Sequence, residues 1–180
     1  MKKVLFPKIL VVVLVLCSVN LSISAQDDAF SRGDKVAQFG VGLGSFITYT
    51  GYSTKIPPIN GSIELGIIDL LDGKATIGVG GYLAHTSSKN KILDDSVMDF
   101  IIGPRGTFHY QFVDKLDTYA GFMVGGDIVI KSKNSPLGSA TDVAFATFAG
   151  ARYYITSGFA VYGEFGFGVT PLQFGLAFKF

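Results

Sequence analysis

The chain has one cysteine, Cys17, and no tryptophan. A lone thiol excludes a disulfide framework and a cysteine-ligated metal centre. With only two histidines, His85 and His109, a transition-metal site is disfavoured too, and no cofactor is expected. Charge is sparse and balanced, 16% of residues with a net +1, which argues against a nucleic-acid partner or a strongly acidic one. Past residue 25 no apolar run approaches the roughly 20 residues that a membrane-crossing helix needs. What is present in abundance is glycine, 23 residues, and phenylalanine, 16, in a chain that is 48% hydrophobic. That composition points to a glycine- and aromatic-rich β protein.

Residues 1–25 have the layout of an export signal. Lys2, Lys3 and Lys8 form a basic start, residues 9–17 are unbroken apolar, and Ile23-Ser24-Ala25 ends on a small residue, which places cleavage after Ala25. A retained membrane helix would need about twice this run, which breaks at Ser18 and Asn20. Acylation of Cys17 would call for a small residue before it, where Leu16 stands.

From residue 35 onward, segments of about ten residues alternate apolar with small or polar positions. The last, 172–180, is faultless: Leu172, Phe174, Leu176, Phe178 and Phe180 on one side, Gln173, Gly175, Ala177 and Lys179 on the other. The same reading gives Phe159, Val161, Phe165, Phe167 and Val169 in the seventh segment and Phe122, Val124, Ile128 and Ile130 in the fifth. Segments at 100–112 and 143–155, with shorter pieces at 36–46, 62–68 and 75–84, bring the count to eight. Charged residues fall on the small-residue face. A water-facing surface should be rich in Lys, Glu and Thr, whereas glycine suits a crowded, narrow interior. The apolar face then needs lipid as its solvent, and lipid demands that every backbone group be paired within a closed sheet. The expected fold is therefore all-β: a closed, eight-stranded, antiparallel up-and-down transmembrane β-barrel spanning residues 35–180.

Connections alternate between short ones (69–74, 113–115, 156–158) and longer ones (50–60, 85–98, 131–142), with Thr170-Pro171 an abrupt exception. The short rim is expected to be periplasmic and the long rim extracellular. Residues 26–34 then form a polar N-terminal periplasmic segment. Six charges are expected to face the lumen: Glu64, Arg105, Asp127, Arg152, Glu164 and Lys179. Buried charges persist only when paired, so the expected network centres on Arg152 with Glu164, Glu64 as a further partner, and Arg105 joining higher up.

The stretch Gly150-Ala151-Arg152-Tyr153-Tyr154, through Tyr162-Gly163-Glu164, to Gly175-Leu176-Ala177-Phe178-Lys179-Phe180 resembles the small OmpA-like and OmpX-like outer-membrane barrels, especially the porin-family barrels of Bacteroidota. The resemblance covers 35–180. It implies outer-membrane localisation, contact with lipid and lipopolysaccharide, and delivery by periplasmic chaperones to the barrel assembly machinery. That machinery would read Leu176, Phe178 and Phe180 as its signal. Without tryptophan, an aromatic girdle would fall to Tyr49, Phe100, Tyr110, Tyr153 and Phe159.

Other motifs carry less. His85-Thr86-Ser87 resembles the His-x-Ser of an outer-membrane lipid A deacylase, but no third group to orient the base is evident. Arg32-Gly33-Asp34 spells an adhesion tripeptide on the rim assigned to the periplasm. Gly40-Val41-Gly42-Leu43-Gly44 has the composition of a phosphate loop without the βαβ context. The expected role is a structural or interaction scaffold with outer loops and a closed charged lumen, and not an enzyme. Alternatives are a narrow channel, a lipid-modifying barrel, or a periplasmic lipocalin-like barrel with the apolar face inside.

Overall fold

A computed structural model describes residues 29–90, 92, 94–132 and 140–180. The export signal and its cleavage point lie outside the described residues. Eight strands follow in order: β1 (Lys35–Leu43), β2 (Ser53–Leu70), β3 (Ala75–Asn90), β4 (Asp95–Val113), β5 (Leu116–Lys131), β6 (Ala140–Thr156), β7 (Phe159–Phe167) and β8 (Leu172–Lys179). Each pairs antiparallel with its sequence neighbour, and β8 closes the ring onto β1. Closure uses an unbroken register from Val36 opposite Lys179 to Leu43 opposite Leu172, so no edge remains along that seam.

The period-two pattern sets which side each residue takes. Outward residues such as Phe39, Ile63, Leu83, Ile102, Phe122, Phe165 and Phe174 are exposed, while inward Gln38, Glu64, Arg105, His109, Arg152 and Gln173 are buried. This inverts the usual distribution of a water-soluble protein, in which large exposed apolar patches are rare. The lipocalin-like alternative is overturned by the same observation.

Strands β2 to β6 run further than the alternation suggests. Residues expected as loops at 50–60 and 85–98 are largely strand, because β2 begins at Ser53 and β3 and β4 pair without interruption up to Asn90 opposite Asp95. The third long connection likewise shrinks from 131–142 to 132–139. Apolar alternation is a demand of lipid, and strands projecting above it can carry polar side chains on both faces. Pro57 and Pro58 are accommodated because β1 pairs with β2 only from Ile59 onward and the β2–β3 register shifts there. Proline, lacking a donor, is tolerated at such edges and bulges. Strands β2 to β6 thus have 16 to 19 residues against 8 or 9 in β7, β8 and β1. The wall is tall on one side and low on the other.

Val169, expected outward, is buried. Strand β7 stops at Phe167, and Gly168, at a φ of +117° open to glycine, turns the chain so that Val169 enters the lumen. Tyr49 is not a girdle residue either. It bends into the loop-end mouth, where its hydroxyl donates to Asp99. Two aromatic pairs face outward near the short-turn end, Tyr110 with Phe112 (4.6 Å) and Phe159 with Phe178 (5.3 Å), and a third, Phe46 with Phe167 (4.8 Å), at the opposite end.

Candidate functional site

The lumen is filled in layers, beginning at the short-turn end with a strap formed by residues 29–34. Ala29 and Phe30 are buried inside the barrel, in one apolar cluster with Val36, Tyr154, Ala160, Tyr162 and Ala177. Strand residues hold the strap along its length: the Ala29 amide donates to Gln111 (2.9 Å), and Thr76 and Lys179 donate to the Phe30 and Ala29 carbonyls (3.2 and 3.4 Å). Gly66 is an integral part of the seat. Its amide donates to the Asp34 carbonyl, its carbonyl accepts from Gly33, and a Cβ built on it would meet the Ser31 carbonyl oxygen at 2.2 Å. Only glycine lets the strap lie this close. Of the polar segment expected to hang in the periplasm, Ala29 and Phe30 are part of the barrel interior, while Arg32 and Gly33 stay exposed at the rim.

Above Phe30 lies an ionic layer. The Phe30 ring sits 4.2 Å from the His109 ring, and the Arg152 guanidinium stacks over Phe30 and Tyr119 at 5.4 and 4.6 Å. Arg152, fully buried, bonds Glu64 and Asp117, the latter at 3.0 Å. His109 joins the same two carboxylates, Asp117 at 2.8 Å and Glu64 at 3.1 Å, and Thr107 donates to Glu64. Gly78 faces this group, and a Cβ there would meet the Thr107 hydroxyl at 2.5 Å.

A second ionic layer follows. Arg105 pairs with Glu164 at 3.4 Å and covers the Phe148 ring at 4.2 Å. Glu164 also accepts from Tyr119 (3.0 Å) and Gln173 (2.6 Å), and Gln38 links the layers through Tyr119 and Arg152. Over this lies a dry layer of Tyr82, Ala84, Ile101, Met123, Ala146 and Val169, with Ile47 and Phe148 packed against it. Beyond it the loop-end mouth is acidic: Asp95 and Asp99 on β4, Asp127 on β5 and Asp142 on β6, with Tyr49 bonded to Asp99 and Tyr52 to Asp95 (2.7 Å). Burial and the neighbouring Asp99 push the Tyr49 hydroxyl's pKa up, so it remains a donor.

No family model matches the chain, and no curated protein does. Solved structures do. The crystal structure of Ail, the attachment invasion locus protein of Yersinia pestis, superposes with a TM-score of 0.55 at 14% identity, covering 83% of this chain and 99% of that one. The solid-state NMR structure of the outer membrane protein AlkL in lipid bilayers gives 0.52 at 16% identity, covering 90% and 97%. The fold is that of a transmembrane β-barrel. In such a barrel the exposed outward side chains face lipid.

The six charges expected in the lumen divide by position. Glu64, Arg105, Arg152 and Glu164 meet in the two ionic layers, but the pairing differs from the expected one. Glu164 belongs to Arg105, and Arg152 takes Glu64 with Asp117. Counting residues from the turns gives height but not position around the ring, and strand tilt moves residues of equal count apart. Lys179 lies below, on Asp34 (3.3 Å) and over the Tyr154 ring (5.2 Å). Asp127 lies above the dry layer, apart from both arginines. Asp117 escapes the sequence reading although its parity with Tyr119 and Met123 marks it as inward; it stands beside a turn, where polar residues are ordinary. Phe30 leaves no such signal. His85 does not build a catalytic pair: it stacks on Phe100 at 4.5 Å and its Nδ1 lies 3.1 Å from the Asp99 carbonyl, while Ser87 is buried. Arg32-Gly33-Asp34 serves the strap, the Arg32 amide donating to Asp69 (2.8 Å).

Proposed function

We propose that this chain is an integral outer-membrane barrel that acts through its surfaces, as a structural or interaction scaffold, and that its lumen does not conduct solutes. One observation carries the reading: the interior is closed in series by the Phe30 strap, two ionic layers and a dry layer. Eight strands leave an interior that side chains can about fill, and here they do so with buried, mutually bonded groups. The resemblance of the fold to outer-membrane barrels supports the location. The barrel would then contact membrane lipid and lipopolysaccharide, and reach the membrane through periplasmic chaperones and the barrel assembly machinery, with Leu176, Phe178 and Phe180 as the recognised end.

Two measurements test this. Membrane fractionation with heat-modifiable gel mobility should place the folded barrel in the outer membrane. Purified barrel in a planar bilayer should give no steady conductance steps, and reproducible single-channel steps would establish the narrow-channel reading instead.

A further inference from the structure

The acidic mouth lies on the far side of the dry layer from the ionic layers, and its charges are not balanced as theirs are. Asp127 and Asp142 stand directly opposite each other in the β5–β6 register, and like charges so placed are destabilising. Asp99 and Asp142, both carboxylates, act on Asp127, which also faces the Tyr49 hydroxyl. Lys131 and His85 act on Asp99. A second observation is independent of the charge count. Asp99 is fully buried, its Oδ1 takes the Tyr49 hydroxyl, and its Oδ2 has no hydrogen-bond partner among the described residues. Oδ1 of Asp127 is likewise buried and without a partner among the described residues. A buried carboxylate oxygen left unsatisfied is costly, so two of them at one mouth point to a cationic hydrogen-bond donor as ligand.

We propose that this mouth binds an organic ammonium ion, of the class represented by polyamines. Among the described residues no three carboxylate or imidazole groups converge closely enough to ligate a metal ion, so the acceptors suit separate N–H donors rather than one coordination sphere. Tyr49 and Tyr52, edge to face at 6.0 Å, supply aromatic faces of the kind that attract alkylammonium groups. A protonated amine here donates to Asp99 Oδ2 and Asp127 Oδ1 and relieves the Asp127–Asp142 repulsion. A second amine a few carbons away reaches Asp142 at the exposed rim.

The test is calorimetric titration of spermidine into the full folded barrel in detergent at low salt, with calcium chloride titrated separately. Spermidine is expected to bind at one site, with D127N and D142N each weakening it at least fivefold and D72N, at the opposite rim, leaving it unchanged. D127N removes a repulsion and should fold; gel mobility checks this, and exposed Asp142 gives a second variant that does not touch the buried carboxylates. Equal spermidine affinity in D127N, D142N and the parent overturns the proposal. Calcium binding more tightly than spermidine, with the same dependence on Asp127, overturns it in favour of a metal site.

Discussion

Replacing Arg152 with methionine keeps most of the stem's bulk and deletes the cation on which the lower ionic layer depends. In R152M, Glu64 and Asp117 stay buried, their side chains 0% and 2% exposed, with His109 left to serve both. Breaking a buried pair by removing one partner costs about 3–5 kcal/mol. Because His109 and Thr107 still bond Glu64, the loss should fall near the lower end, about 3 kcal/mol, or roughly a hundredfold in the unfolding equilibrium. Adding E64Q to R152M removes one of the stranded charges. The double variant should therefore be more stable than R152M alone by at least about 1 kcal/mol, within the usual range of coupling between contacting residues. Urea unfolding in micelles followed by far-UV circular dichroism reads this out, since the chain has no tryptophan to report by fluorescence. Loss of less than about 1 kcal/mol in R152M, or additive effects in the double variant, would refute the view that this layer is a mutually dependent unit.

Other perturbations probe other levels. G66V should eject the strap without altering any strap residue, freeing the seated backbone at Arg32, whose side chain is already exposed, for cleavage by trypsin in the folded barrel; resistance equal to the parent's would mean the strap has another seat. F30A should cost about 3 kcal/mol in the same urea assay, as deletion of a buried aromatic does. F122R places a cation on the lipid face and should cost about 2–4 kcal/mol if Phe122 lies near the bilayer midplane; a neutral result would put that face in water. F178D should lower the amount of folded barrel recovered from outer membranes in cells while leaving unassisted refolding in micelles comparatively intact. Equal loss in both settings would assign Phe178 to packing against Phe159 and not to recognition.

The barrel is legible in the sequence because lipid and lumen impose opposite chemistry on alternate residues, and runs such as 172–180 carry both demands at once. Where only one of them acts, the pattern fades. The upper parts of β2 and β3 hold Lys55, Ser87, Ser88 and Asn90 with no apolar stripe, and so resemble loops. Glu64 and Arg152 can be assigned to the interior by parity, but their meeting depends on tilt and register, which no count along one strand contains. The dry layer hides for a related reason: Ile101 and Met123 are apolar on the inward face, where period two alone cannot distinguish a lumen seal from a lipid contact. The strap is least legible, since its principal sequence mark is Gly66, one glycine among 23.

That strap also fixes an order of events. Its seat needs Gln111 from β4 and Lys179 from β8, a residue 150 positions after Ala29. The earliest part of the barrel to leave the ribosome is thus the part that must wait longest for its partners. The full seat of Ala29 and Phe30 includes Ala177 and Lys179 of the final strand, so complete burial of Phe30 reports that the ring is complete.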